Sequence, residues 1–338
     1  MTRTRVPAVT LAAFAALLVV VVLGIAAGSA QLGPTDVVRT LLGQGTPSQD
    51  LIVVELRLPR VLCGALVGAA LGLAGALTQT FARNPLATPD ILGVTSGAAL
   101  GAVAAIVLAG GSYSIGAGAL TLGLPAVAAI GALGTAAVVY GLSWRDGVDS
   151  YRLILVGIGT TAALTGVTSY LIARAQLTEA STASQWLVGS LSGVSWASVW
   201  PVLLTVAVVT PFALVQSSNL EVSLLGDDVS TGLGVVVQRH RLVIIGCAVL
   251  LTAAAVSAAG PIEFVAFVAP QVVRRLTRTA RPPLLASAVT GALVVVGADT
   301  LARAVLPGEV PVGIVTAVIG APYLIWLLTR RKDREMIA

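Results

Sequence analysis

This chain predicts an all-α polytopic membrane protein of about ten transmembrane helices, and three observations carry that prediction. Hydrophobic residues fill 57% of the 338 positions and charged ones only 10%, whereas a soluble chain carries about 25% charged residues. Uncharged runs of about twenty residues, the length that crosses a bilayer, recur from end to end with short polar connections. Small residues form stripes within those runs: Gly64, Gly68 and Gly72, then Gly93, Gly97 and Gly101, each set on one helical face. An interior glycine costs a soluble helix about 1 kcal/mol, but in lipid a small face lets backbones approach closely. We read residues 1–338 as a single transmembrane domain with no room for a separate soluble one.

The elements follow in order. MTRTRVP and the apolar run to residue 30 look like a signal peptide, but the run exceeds a usual signal core and further spans follow. It is therefore read as an uncleaved first span, 7–30. Residues 31–55, rich in Gly, Pro, Asp, Gln and Ser, read as a polar loop. Spans at 59–82 and 91–109 read as a tightly packed pair, joined by a rigid corner at Asn84-Pro85 and Pro89. Spans at 118–142 and 151–174 come next. In TEASTASQWLVGSLSG (178–193) the WLVGSL core is too short to span and reads as a short interfacial helix anchored by Trp186. A span at 196–216 leads into the polar segment 217–241, and then come spans at 242–260, 262–273 (a short one), 284–304 and 311–328.

Charge orients the bundle. With the N-terminus inside, only Arg39, Arg57, Arg60, Arg174 and Arg303 of the 20 Lys and Arg residues fall outside, which leaves fifteen inside. That bias puts both termini in the cytoplasm. It also explains the net charge of +5 as dispersed topology signals, with no patch for nucleic acid. A weak inverted repeat is visible too. The 59–82 span enters at Arg60, passes small residues to Gly75 and breaks at Asn84-Pro85. The 242–260 span enters at Arg241, passes TAAAVSAAG and breaks at Gly260-Pro261, crossing in the opposite direction, as transporter repeats do.

Several functions are excluded. A Walker-type phosphate loop needs a lysine after its glycines, and the one lysine, Lys332, sits in the tail behind Arg331. The chain is therefore not an ATPase by itself. Cys63 and Cys247 lie in apolar runs as small hydrophobes, His240 is the one histidine, and Met1 and Met336 lie at the ends. No soft-ligand set for a bare metal is present, and no cofactor is expected on this chain.

Intramembrane ionisable groups are functional candidates, and few exist. Glu263 follows Gly260-Pro261; it is either a pathway group or a carboxyl accepting from backbone at the helix break. Asp299 and Arg303 are either functional or an i,i+4 pair that neutralises itself. Their scarcity argues against proton-coupled transport. In 217–241, Leu220, Leu224 and Leu225 precede Asp227 and Asp228, and Leu233 lies between two glycines. This patterning suits an amphipathic docking helix on the cytoplasmic surface better than a solvated loop.

Four stretches, in order, carry a family resemblance: RLPR with GAALGLAGALTQTFARNPLATPDILGVTSGA, SLLGDDVSTGLGV, GPIEFVAFVAPQVVRRL, and ADTLARAVLPGEVPVGIVTAVIGAPYLIWLL. Together they resemble the permease subunits of ATP-binding-cassette importers for iron–siderophore complexes and cobalamin, over nearly the whole chain. The resemblance implies the type II importer architecture in the plasma membrane. It implies a second permease subunit (copy or paralogue), two cytoplasmic ATPases using ATP and Mg, and an external substrate-binding protein. It marks Arg57, Arg60 and Arg303 as arginines that receive acidic residues of that binding protein. It places Asn84, Leu86, Ser150 and Tyr151 at the cytoplasmic gate. It makes Leu224, Leu225, Gly226, Asp227, Asp228, Leu233 and Gly234 part of the segment coupled to the ATPases.

Two departures stand out. Ala266, Phe267 and Gln271 replace the Gly-Leu and Pro-His pairs of many members, and Tyr151 is larger than the small hydroxyl residue expected at a gate. PQVVRRL resembles the siderophore branch, catecholate importers especially. The implied function is import of an intact iron(III)–siderophore chelate through a wide path lined by small apolar residues. Cobalamin or haem import is the alternative, and a proton-coupled carrier or passive channel are readings from other classes.

Overall fold

The computed structural model describes residues 2–28, 32–108, 123–145, 147, 149–305 and 310–335. Parts of the expected first, third and fourth spans (29–30, 109 and 118–122) lie outside them. Among the described residues seven helical runs are long and apolar enough to cross a membrane, with shorter apolar helices beside them. The chain is an all-α polytopic membrane protein.

Helix α1 (Thr2–Ala26) is followed by α2 (Pro34–Leu41) and α3 (Pro47–Asp50). These last two correct the loop expected at 31–55. Proline at the first helical position suits helix entry. At α3, Thr46 Oγ1 accepts from Gln49 N (3.4 Å) while Gln49 Oε1 accepts from Thr46 N (2.9 Å), a capping box that polar composition alone conceals. A π-helical stretch (Leu51–Arg57) then runs without a break into α4 (Leu58–Phe81), so Pro47–Phe81 is one helical run of 35 residues.

A 3₁₀ turn (Pro89–Leu92) leads to α5 (Val94–Leu108); α6 (Gly123–Ser143) and α7 (Ser150–Arg174) follow. Next, α8 spans Leu177–Leu187, so the helix lies ahead of the expected WLVGSL core, which unwinds at Gly189. Glu179 starts it early by accepting from Gln176 N at 3.0 Å. Trp186 is partly buried and packs against apolar clusters around α5. After α9 (Trp196–Val215), the 217–241 segment forms α10 (Ser217–Ser223) and α11 (Asp227–Gly232), and Val237 already begins α12 (Val237–Ala259). The non-helical link 260–264 joins α12 to α13 (Val265–Thr277), and α14 (Leu284–Val305) and α15 (Val312–Glu335) complete the bundle.

The core sits around α4. About 78% of the apolar stretch that ends in α4 is buried, against 17% for α7. The first glycine stripe explains this. A Cβ on Gly68 or Gly72 would overlap backbone carbonyls of α14, and one on Gly75 would overlap the Ala266 carbonyl of α13. The second stripe, Gly97 and Gly101, meets α6 backbone instead. The two stripes therefore do not pack α4 on α5, as the sequence suggests; α12 packs against both and keeps them apart. Cys63 and Cys247 are free and buried.

Candidate functional site

The corner after α4 is built by local bonding. Arg83 turns the chain at φ +48°. Asn84 Oδ1 accepts from Leu86 N at 2.9 Å and its carbonyl accepts from Ala87 N at 3.1 Å, an Asx turn that proline-flanked asparagine favours. Behind the corner lies fully buried Gln271. Its Nε2 donates to Pro85 O (2.9 Å) and Gln79 Oε1 (2.6 Å), and its Oε1 accepts from Arg274 (3.0 Å). Gln79 in turn donates to Phe267 O at 3.2 Å. A long amide at 271 thus ties the corner to α13.

A cavity of about 670 Å³ opens beside this corner between α5, α7, α12 and the 260–264 link. Leu86 of the corner and Ile172 of α7 are among its lining residues. One face of α7 contributes Thr161, Thr165, Thr168 and Ser169, four hydroxyls at helical spacing. Two carboxylates also line the cavity. Asp90 accepts from Thr95 Oγ1, while the exposed Glu263 carboxylate has no hydrogen bond or ion pair among the described residues. Only the main-chain carbonyl of Glu263 is used at the break, accepting from Val265 N at 2.9 Å. Phe264 follows at φ +66°, a strained conformation for a bulky residue. It is seated directly on Gly320 of α15, where a Cβ would overlap it. Hydroxyls and carboxylates thus stand among the apolar residues that line this space.

The 217–241 segment is held from beneath and bare above. Fully buried Leu220 anchors α10, and Ser230 Oγ lies 3.1 Å from Val222 O and 2.6 Å from Gly226 O. Asp227 accepts from Arg83 and from Arg241, both at 2.6 Å, and Arg83 Nε donates to Ser223 O at 3.0 Å. Burial pushes the Asp227 carboxyl up, but the hydrogen bonds and charges of Arg83 and Arg241 prevail and hold it below the usual carboxylate value. Leu225, Val229, Leu233 and Val236 form an exposed apolar row. Leu224 and Gly226 are half-buried, and Asp228 and Gly234 are exposed.

At the opposite end of α4, Arg57 donates to the carbonyls of Ile25 (2.8 Å) and Ala26 (2.9 Å). Arg60 reaches Asp299 at 2.8 Å and Arg303 reaches it at 2.9 Å, while Arg303 also donates to Ala27 O and Gly24 O, both at 2.9 Å. Asp299 and Arg303 do form the i,i+4 pair that their spacing suggests, but Arg60 completes it.

Of the four expected gate residues, Leu86 alone lines the cavity. Asn84 shapes the turn behind it. Ser150 and Tyr151 begin α7, where Asp149 Oδ1 accepts from Tyr151 N at 3.0 Å, and Tyr151 is 72% exposed away from the cavity. Sequence reasoning missed the roles of Arg83 and Gln79, whose partners are 144 and 192 residues away, and of Arg241, whose partner Asp227 lies 14 residues away across two short helices. It also passed over the hydroxyl face of α7, which the spacing of Thr161, Thr165 and Thr168 could have revealed. Among the described residues no group of three or more His, Cys, Asp and Glu side chains could hold a metal.

The model of the FecCD transport family matches residues 16–330. The chain belongs to that family. Within the FecCD family, the permease protein of the ferric enterobactin transport system of Escherichia coli (strain K12) is 39% identical over 313 residues, 92% of each chain. The permease protein of the iron(3+)-hydroxamate import system of Bacillus subtilis (strain 168) is 38% identical over 332 residues, covering 97% of this chain and 99% of the relative. A solved structure described as a metal-chelate type ABC transporter in an inward-facing conformation superposes with a TM-score of 0.82 at 28% identity, covering 96% of this chain and 99% of that one.

Proposed function

We propose that this chain is the membrane-spanning permease subunit of an ATP-binding-cassette importer that carries iron(III)–siderophore complexes into the cytoplasm. The observation that carries this reading is the Arg83–Asp227–Arg241 junction. It joins a bare apolar row to the residue next to the Asn84-Pro85-Leu86 corner, and Leu86 lines the cavity. Two partner ATPases dock on Leu225, Val229, Leu233 and Val236. As they bind and hydrolyse ATP with Mg, α10 and α11 move, Asp227 pulls Arg83, and Leu86 shifts at the cytoplasmic gate while Gln271 holds Pro85. Ser150 and Tyr151 form the facing gate loop.

A second permease subunit, a copy or a paralogue, covers the largely unburied α7, and the chelate crosses between the two subunits by alternating access. Both termini lie on the cytoplasmic side of the plasma membrane. At the outer face, Arg57, Arg60 and Arg303 receive acidic residues of an external binding protein. Because their guanidiniums are engaged internally, they act there as a fixed positive field around one carboxylate.

Reconstituted uptake tests this. Proteoliposomes holding the permease, its ATPases and the binding protein should accumulate a labelled ferric siderophore only with ATP inside. Uptake driven by a pH gradient without ATPase subunits, or flux needing neither, would overturn it, and uptake confined to cobalamin or haem would overturn the substrate.

A further inference from the structure

The reading above, on which this inference rests, leaves open which ferric chelate crosses. PQVVRRL resembles the catecholate branch, but overall similarity does not choose, since the hydroxamate and enterobactin relatives stand at 38% and 39% identity. Charge does. Three hydroxamates, each singly negative, neutralise Fe(III), whereas three catecholates, each doubly negative, leave the complex a trianion.

We propose that the cavity beside α7 is built for a neutral or cationic ferric chelate of the trihydroxamate kind, and that Glu263 is the residue that selects it. No Arg, Lys or His stands among the described residues lining this space. Both charged groups there are carboxylates. Asp90 is occupied by Thr95, but Glu263 is exposed into the cavity without a partner. Its place is built rather than incidental: the link it stands on is bounded by Gly260 at φ +69° and Phe264 at φ +66°, and Phe264 fits only because residue 320 lacks a side chain. An unpaired carboxylate facing a cavity sets the sign of the local field there, which low-dielectric walls focus. The hydroxyls of Thr161, Thr165 and Thr168 can donate to or accept from the oxygen-rich, uncharged rim of a hydroxamate chelate. A trianion in the same place meets repulsion with nothing positive to offset it.

The complete transporter in proteoliposomes tests this with two iron-labelled probes, the ferric complexes of desferrioxamine B and of enterobactin. Wild type should import the hydroxamate complex in preference. Glu263→Gln should move the uptake ratio toward the catecholate, and Glu263→Arg should move it further, by roughly tenfold for three charges interacting across about 8 Å of water. The binding protein's own preference cancels in the wild-type-to-variant comparison for each probe. Equilibrium dialysis of both probes against the nanodisc-embedded transporter, without binding protein, should shift in the same direction. Preferential binding of the catecholate by the wild-type transporter in that dialysis, or an uptake ratio that neither variant moves, overturns the assignment of Glu263. Absence of ATP-dependent uptake of either probe would instead overturn the underlying reading of the chain as a siderophore permease.

Discussion

The same ionic arrangement, one aspartate between two arginines, occurs at both ends of α4. At one end Asp299 lies between Arg60 and Arg303 with its side chain 3% exposed; at the other Asp227 lies between Arg83 and Arg241 at 46% exposed. Distances are alike, 2.8 and 2.9 Å against 2.6 Å twice, so geometry alone does not separate them. Surroundings do. Asp299 is enclosed by α1, α4 and α14, and Arg303 also holds carbonyls at the end of α1. Water reaches Asp227, and the pieces it joins, α11 and the corner, are the ones that must move if this permease works as proposed. The first cluster fastens helices together; the second, in the function proposed above, transmits displacement between them.

Removing each carboxylate should therefore have opposite signatures. Asp299→Ala leaves two largely buried guanidiniums without a counter-ion, which typically costs about 3–5 kcal/mol. We expect a markedly lower unfolding midpoint in detergent and poor yield of folded protein. A loss below about 1 kcal/mol, the range of surface pairs, would erase the distinction between the two ends.

Asp227→Ala should lower the unfolding midpoint less than Asp299→Ala, since it deprives one largely buried guanidinium, Arg241, of this carboxylate while Arg83 is 42% exposed and exposed pairs contribute about 1 kcal/mol at most. Transport should suffer more. With ATPases and binding protein present, chelate uptake should fall at least about fivefold, the lower end of usual coupling energies, while ATP hydrolysis persists. Full uptake by a normally folded variant would show that Arg83 and Asp227 touch without transmitting anything.

The sequence revealed these two ends unequally. Lipid obliges each span to satisfy its backbone internally, so the runs of apolar residues, and the breaks at Asn84-Pro85 and Gly260-Pro261, mark most helices directly. Asp299 and Arg303 are one turn apart, so their pairing is local information. Arg60, however, is 239 residues from Asp299, Arg83 is 144 from Asp227, and Gln79 is 192 from Gln271. No periodicity announces such partners. The glycine stripes show the same limit: spacing identified faces suited to close packing but not the helices they meet, and α4 chose α13 and α14 over α5. Caps were the other blind spot. Thr46 and Gln49 turn an apparently loop-like stretch into helix through two hydrogen bonds that composition does not register.

Acid offers the subtlest probe of the exposed end. In the folded chain Asp227 sits below its ordinary carboxylate value, because Arg83 and Arg241 outweigh burial. A depressed carboxyl contributes stability that is present above its unfolded pKa, about 3.9, and lost as pH falls through the folded value. Asp227→Asn should therefore be less stable than wild type by a constant small margin from neutral pH down to about pH 4. Only below that should the margin shrink. Paired thermal-unfolding curves across this range would show it, provided salt is held constant, because the exposed charges are screened within about 10 Å at 0.1 M. A margin that already fades well above about pH 4 would mean that another group, not the carboxylate, governs the junction. His240 is the candidate, because it precedes Arg241 and its Nδ1 contacts Gln216 Oε1 at 3.0 Å. The proton that matters would then sit on the ring beside the junction and not on the carboxylate within it.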